Sequence, residues 1–235
     1  MAAVKPPPLS LLLTEWPRAA GTVARLARDW RGLADQPRGD GHRVMVLPGL
    51  FNSDRSNVVL RRHLDRLGYR ALGWGLGRNL GARTIGADAR RLIARIEAAA
   101  VDGPVTLIGV SLGGIMARLV AHRRPELVRG VITISSPFAA SPRATHVWRA
   151  FEWVTGERVD DPVIAARLAE VMAPLPMPAT AIWGRHDGLV ASTACRTDAC
   201  DALEVPSGHL GVQLHPAVLR GVGEILAQRL SSEAR

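Results

Sequence analysis

Short apolar segments alternate with longer amphipathic segments along the chain from residue 42 onward. Each short segment is bounded by glycine, proline or polar residues, which is typical of buried strands. This pattern predicts six strands, at His42–Gly49, Tyr69–Gly75, Pro104–Val110, Val128–Phe138, Ala179–Gly184 and Ala202–Gly208.

Between these strands, apolar residues recur every three or four positions, which is the spacing of one helix face. The spacing predicts helices at Ser53–Gly68, Thr84–Ala100, Leu112–Arg123 and Pro216–Leu230. Because strands and helices alternate, we expect an α/β fold with a mostly parallel sheet covered by helices on both faces.

Two segments depart from this alternation. Residues 1–41 form an N-terminal leader, in which the apolar spacing predicts a helix at Thr22–Ala34. Residues from about 139 to 178 interrupt the alternation and predict a helical cap, or lid, inserted in the main domain. With 235 residues, the chain has the length of one domain, which we place at residues 42–235.

Composition narrows the classes of partner. The net charge is +9, yet Lys5 is the only lysine and the arginines are spread along the chain, so the excess of positive charge indicates compositional bias more than a nucleic-acid interface.

No apolar run approaches the ~18 residues of a membrane span. Leu9–Leu13 is too short for a secretion signal. We therefore expect a cytoplasmic protein, with peripheral contact to a membrane surface left open.

The chain has two cysteines, Cys195 and Cys200. Two thiols alone do not make a structural zinc site, and a disulfide framework is uncommon inside cells. Ordinary thiols are the expectation, although the sequence does not decide whether they pair.

Ser111 lies where the predicted strand Pro104–Val110 gives way to the predicted helix Leu112–Arg123. Residues 109–113 read Gly-Val-Ser-Leu-Gly, the G-x-S-x-G spacing of a nucleophile elbow. Glycines on both sides remove the side chains that would collide in such a sharp turn. The serine hydroxyl is then displayed above the carboxyl edge of the sheet, so Ser111 is the candidate nucleophile.

A serine hydroxyl needs a base, and the base needs an orienting acid. His209 follows the last predicted strand and is the preferred base, with His215 as the alternative unless it caps the last helix. Asp187 follows the strand Ala179–Gly184 and is the preferred acid, although an aspartate before Gly188 also suits a turn.

Two backbone amides are candidates for holding a negative oxygen. One belongs to Leu112, at a helix N-terminus. The other lies in the loop after the first strand, where Gly49 permits close approach; Leu50 is preferred and Phe51 is the alternative.

The segments "LPGL", "GVSLGG", "GRHDGLV" and "SGHLG", in that order, resemble the α/β-hydrolase fold family, particularly its small serine esterases and lipases. The resemblance covers residues 42–235 apart from the insertion. It implies an acyl-serine intermediate that water hydrolyses, with Ser111, Asp187 and His209 as a triad and without a cofactor or metal. Pro48-Gly49 stands where many relatives have His-Gly, so the oxyanion loop is expected to differ in detail.

The insertion is rich in large apolar residues, which suits a small-molecule or lipid ester of apolar character. These residues are Trp148, Phe151, Trp153, Val154, Met172 and Met177. Packing of the cap onto the core explains them equally well. An acyltransferase with the same triad, or a non-catalytic binding protein on the same fold, remains an alternative. The sequence leaves the oligomeric state open.

Overall fold

A parallel β-sheet forms the centre of the protein. A computed structural model describes residues 4–233, and side chains as far as Arg229; residues 1–3 of the predicted leader and 234–235 of the predicted domain lie outside the described residues. The strands are β1 (Arg43–Leu47), β2 (Arg70–Gly73), β3 (Val105–Val110), β4 (Val128–Ile134), β5 (Ala179–Gly184) and β6 (Asp201–Val205). They lie in the order β2-β1-β3-β4-β5-β6, and every neighbouring pair is parallel.

Helices lie before, between and after these strands. They are α1 (Leu9–Leu13), α2 (Glu15–Asp29), α3 (Val58–Arg66), α4 (Ala82–Ile85), α5 (Arg90–Glu97), α6 (Leu112–Arg123), α7 (Trp148–Thr155), α8 (Pro162–Met172) and α9 (Pro216–Glu233). The predicted bounds of α6 and β5 match the structure residue for residue.

Each face of the sheet buries its own apolar layer, because successive side chains of a strand point to opposite faces. Met45 and Leu47 of β1 belong to the layer that α5 and α6 cover. Val44 and Val46 belong to the opposite layer, which α3 and α9 cover. The predicted α/β class, with helices on both faces of a parallel sheet, is confirmed.

The predicted single helix Thr84–Ala100 is wrong. The segment is divided into α4, a short 3₁₀ turn at Ala87–Ala89, and α5. Gly86, Asp88 and Ala89 all have positive φ, which ends a right-handed helix. Ile85 and Leu92 are nevertheless buried in the same apolar layer, so the apolar spacing is preserved across the break.

The predicted bounds of the leader helix Thr22–Ala34 are also wrong. Helix α2 begins at Glu15 and ends at Asp29, and residues Gly32–Ala34 form a separate 3₁₀ turn. Pro17 lies in the first turn of α2, where the missing N–H has no helical partner to lose. The start of the helix was therefore concealed by a proline that the first turn tolerates.

The segment between β4 and β5 contains α7 and α8 and lies over the end of α6. The buried guanidinium of Arg118, on α6, donates to the carbonyl oxygens of Val171 and Ala173 at the end of α8, at 2.5 and 2.7 Å. The same guanidinium lies 4.1 Å from the centre of the Phe138 ring. These contacts fasten the predicted cap to the main domain.

Across the described part of the chain, every helix is too short or too polar to cross a membrane. Cys195 is buried, Cys200 is half-buried, and both are free thiols.

Candidate active site

Ser111 is held in a strained turn between β3 and α6. Its φ of 51° lies in the left-handed region, which residues other than glycine rarely adopt. Its amide donates to Ile134 of the neighbouring strand at 2.8 Å, and its carbonyl oxygen accepts from the Ser136 hydroxyl at 2.6 Å. Strained backbone of this kind is characteristic of functional sites that the surrounding structure holds in place.

The flanking glycines are required by close packing. A Cβ on Gly109 would collide with the backbone of Gly113 and Gly114, and a Cβ on Gly113 would collide with the carbonyl of Leu47 at the end of β1. The elbow therefore depends on three elements at once, which explains why glycines surround the serine.

The structure brings Ser111, His209 and Asp187 together in one hydrogen-bonded row. His209 Nδ1 lies 2.7 Å from Asp187 Oδ2, and His209 Nε2 lies 3.2 Å from Ser111 Oγ. An ionised carboxylate only accepts, so Nδ1 carries the imidazole proton and Nε2 is free to accept the serine hydroxyl. The other Asp187 oxygen accepts from the amides of Leu189 and Val190, which fixes the carboxylate.

The imidazole of His209 is largely buried. Burial lowers the pKa of His209, but the Asp187 carboxylate, with a smaller effect from Glu15, outweighs it, and the pKa is raised overall. The imidazole is thus a stronger base than a free histidine.

The loop after β1 is fixed by Asn79, a fully buried side chain to which the sequence analysis assigned no role. Asn79 Nδ2 donates to Pro48 O at 2.7 Å, and its backbone oxygen accepts from the amide of Phe51 at 2.8 Å. Since the Phe51 amide is engaged, Leu50 becomes the better candidate for an oxyanion donor in this loop. Asn79 lies 31 positions from Pro48 in the chain, so no local motif in the sequence indicates this contact.

Glu15 was not identified from the sequence at all. It is 1% exposed and its carboxylate accepts from backbone amides in the loops of both Asp187 and His209. An acidic residue at a helix N-terminus is common, so the sequence offered no signal for this remote contact.

The alternative base, His215, lies at the start of α9. Its Nδ1 accepts from the amide of Ala217 at 3.2 Å, and its Nε2 lies 3.5 Å from Arg25. The ring therefore caps the helix, which is the alternative role predicted for it, and it takes no part in the row formed by Ser111 and His209.

An apolar cavity of about 120 Å³ opens beside Ser111 and extends beneath α7 and α8. Trp148 and Phe151 of α7 line it, whereas Trp153, on the same helix, is 81% exposed. The wall also contains an ion pair between Glu157 and Arg167 at 2.6 Å. The cavity is suited to the hydrocarbon portion of a ligand whose reactive group lies at the serine.

This arrangement, a parallel α/β sheet with a serine at a strand–helix elbow and a histidine and an aspartate on neighbouring loops, defines a class of hydrolase. Residues 30–157 match the family model described as the alpha/beta hydrolase fold, which is more than half of the chain. The protein belongs to the alpha/beta hydrolase fold family.

Among curated proteins, the chain is similar to the polyketide synthase ThaQ of Burkholderia thailandensis. The two are 30% identical over 111 residues, which is 45% of this chain and 5% of ThaQ. The chain thus spans a small fraction of this relative.

Several solved structures share the fold at low sequence identity. A structure reported for the metagenome-derived lipolytic enzymes LipS and LipT has a TM-score of 0.59 at 16% identity and covers 82% of this chain and 96% of its own. The monoacylglycerol lipase of Paleococcus ferrophilus has a TM-score of 0.58 at 14% identity, covering 83% and 97%. A bacterial membrane phospholipase A has a TM-score of 0.52 at 17% identity, covering 95% and 96%.

Proposed function

We propose that the protein is a serine hydrolase that cleaves carboxylic esters of apolar acids. The observation that carries the proposal is the continuous row from Asp187 through His209 to Ser111, with 2.7 and 3.2 Å between the bonded atoms. The names of two solved structures with the same fold, a lipolytic enzyme and a monoacylglycerol lipase, support the proposal.

In the first half of the reaction, Ser111 Oγ attacks the ester carbonyl carbon while His209 Nε2 takes the hydroxyl proton. Asp187 stabilises the imidazolium that forms and keeps the ring oriented. The carbonyl oxygen becomes an oxyanion, and the amides of Leu50 and Leu112 are the proposed donors to it. His209 then gives its proton to the departing alcohol, which leaves an acyl group on Ser111.

In the second half, water takes the place of the alcohol. His209 Nε2 accepts a proton from the water as it attacks the acyl carbonyl, and then returns that proton to Ser111 Oγ when the acid is released. No metal or organic cofactor takes part in the proposed steps.

The cavity under the cap supports an apolar acyl group as the part of the substrate held beside Ser111. Its walls are mainly aliphatic and aromatic side chains, including Leu112, Met116 and Phe151. A lipid or other small ester with a hydrocarbon acid fits this environment better than a charged substrate.

Hydrolysis of p-nitrophenyl esters of increasing acyl length tests the proposal. The wild type is expected to release p-nitrophenol, and Ser111→Ala to lose activity by about 10⁴-fold or more. Ser10→Ala, which alters an exposed serine of the leader, is the matched control and is expected to retain activity. An absence of turnover across the whole ester series would count against the enzyme and favour a binding protein.

The same assay separates hydrolysis from acyl transfer. In the presence of a primary alcohol, free acid is expected to remain the main product. A transesterified ester as the main product would instead favour an acyltransferase with the same triad.

A further inference from the structure

Glu15 is a carboxylate in an unusual place. It begins α2, in the predicted leader, yet it is 1% exposed and lies against the loops that follow β5 and β6. Buried carboxylates are rare because removing their charge from water is costly unless hydrogen bonds or counter-charges replace the solvent. The position of this carboxylate therefore calls for a reason beyond helix formation.

Both oxygens of Glu15 accept backbone hydrogen bonds. Oε1 accepts from the amides of Gly188 and His209 at 2.6 and 2.9 Å, and Oε2 accepts from those of His209 and Leu210, both at 2.9 Å. Gly188 follows Asp187 directly, and the other two amides belong to the loop of His209 itself. One side chain thus joins the two loops that supply the acid and the base.

Each of the two loops has a glycine where the leader packs against it. A Cβ on Gly208 would lie 2.8 Å from Glu15 Oε2, and a Cβ on Gly188 would lie 2.5 Å from the carbonyl carbon of Leu11 in α1. Arg18, one turn along α2, adds a hydrogen bond to the carbonyl of His186 at 3.3 Å. The glycines allow the leader to approach the loops closely enough for Glu15 to reach three amides.

We propose that Glu15 is a positioning residue, which sets the spacing of the Asp187 and His209 loops and so the geometry of the triad. The inference rests on the catalytic roles given to Asp187, His209 and Ser111 in the proposed function. Glu15 does not touch the reacting atoms. It acts by fixing His209, whose imidazole must face Asp187 on one side and Ser111 on the other.

The charge of Glu15 also acts on the imidazole. The charged groups that bear on His209 are Asp187, from the loop after β5, and Glu15, from α2; both raise the pKa of His209 against the effect of burial. Removing the charge of Glu15 is expected to lower that pKa. The acidic limb of the activity profile, where His209 becomes protonated, then moves to lower pH.

Glu15→Gln is the central test, because an amide places an NH₂ group where one oxygen accepted from backbone amides. With p-nitrophenyl butyrate, kcat is expected to fall by about 10- to 100-fold with KM little changed, since the base is displaced rather than the substrate site. The acidic limb is expected at lower pH than in the wild type. Active-site titration with a fluorophosphonate corrects kcat for the fraction of folded enzyme.

Asp29→Asn is the matched control. Asp29 is the last residue of the same helix and pairs with Arg28, away from both loops. This variant is expected to keep wild-type kcat and the wild-type acidic limb. If Glu15→Gln behaves like Asp29→Asn, the positioning role is wrong.

Glu15→Asp covers the case in which Glu15→Gln does not fold. It keeps the charge but shortens the side chain, so the acidic limb is expected to stay near its wild-type position while kcat falls. An unchanged kcat in folded Glu15→Asp, with amides 188, 209 and 210 exchanging faster than in the wild type, would overturn the inference.

Hydrogen–deuterium exchange separates this inference from the proposed function. In the full-length wild type, the amides of Gly188, His209 and Leu210 are expected to exchange slowly, and in Glu15→Gln to exchange faster, whether or not any ester is hydrolysed. Failure of the wild type to turn over esters would remove the proposed function alone. Unchanged exchange at these three amides in Glu15→Gln would remove the positioning role alone.

Discussion

The two sides of the candidate triad are held in place by different means. On the serine side, Ser111 is fixed by backbone packing, because the glycines of the turn between β3 and α6 pack against each other and against the end of β1. On the histidine side, Asp187 and His209 lie on separate loops, and a carboxylate more than 170 positions earlier in the chain joins those loops. One side therefore depends on close backbone packing and the other on the side chain of one remote residue.

Because of this difference, the serine side and the histidine side of the triad are expected to respond differently to substitution. The elbow is made of backbone packed against backbone, so it has no room to relax. The histidine side depends on several hydrogen bonds to one side chain. Loss of some of these bonds can therefore disturb its geometry only in part. Substitutions on the two sides should accordingly separate in the size and kind of their effects.

The largest effect is expected from Gly113→Ala, on the serine side. The added methyl group would meet the carbonyl oxygens of Leu47 and Pro48, neither of which can move without distorting β1. We expect a stability loss of about 1–3 kcal/mol or more and nearly complete loss of ester hydrolysis. Thermal denaturation and p-nitrophenyl butyrate turnover measure the two effects.

Gly21→Ala is the control for that substitution. Gly21 lies within α2 with nothing near the position of a Cβ, so alanine there should stabilise the helix by about 0.5–1 kcal/mol. Wild-type activity and stability in Gly113→Ala would show that the elbow is not held by close backbone packing.

A smaller loss is expected from Asn79→Ala, which frees the loop of the proposed oxyanion donor Leu50. The substitution removes the hydrogen bond to Pro48 O while leaving the backbone contact to Phe51 in place. Because a complete oxyanion donor is worth about 10²–10³-fold in kcat, loosening one should cost about 10-fold or more. Steady-state kinetics should show the loss in kcat; a change confined to KM would contradict this role.

Gly113 and Asn79 also show how much of the site could be predicted from the sequence. Gly113 was predicted because its function follows from its spacing to Ser111, and local spacing is visible in a sequence. Asn79 and Glu15 act through contacts between distant segments. No periodicity or motif in the sequence indicates such contacts. Asp187 and His209 fall between these cases, since the alternation of strands and helices places both at the carboxyl edge of one sheet.

The sequence predicted the fold with the same limits as the site. The strands were predicted from apolar runs between turn residues, and β5 was predicted with its observed bounds. The helix predicted at Thr84–Ala100 failed because its apolar residues keep helical spacing while the backbone at Asp88 and Ala89 is left-handed. Periodicity records which residues face the core, but not whether one helix or two carry them.

A further, smaller effect concerns the cavity beside Ser111. Phe151→Ala removes an aromatic ring from the wall, and kcat/KM for long acyl esters is expected to fall by about 10-fold, with less change for acetate esters. Trp153→Ala, on the same helix but 81% exposed, should leave the chain-length profile unchanged. Equal effects of the two variants at every chain length would argue against this cavity as the acyl site.

The smallest expected effect is a shift of the pH–activity profile, which depends on the histidine side of the triad alone. Because Asp187 and Glu15 together raise the pKa of His209 despite its burial, the neutral base is lost at a higher pH than for an ordinary histidine. The acidic limb of kcat/KM is expected above about pH 6.5, the unperturbed value. A limb below that value would mean that burial, rather than the two carboxylates, dominates.

Covalent labelling measures whether His209 and Asp187 activate Ser111 as a nucleophile. After brief exposure to a fluorophosphonate, intact-mass spectrometry and peptide mapping should find one adduct, on Ser111, in the wild type. Labelling should be absent in Ser111→Ala and greatly slowed in His209→Ala. An adduct on another residue, or equally rapid labelling of Ser111 in His209→Ala, would show that these two residues do not activate Ser111.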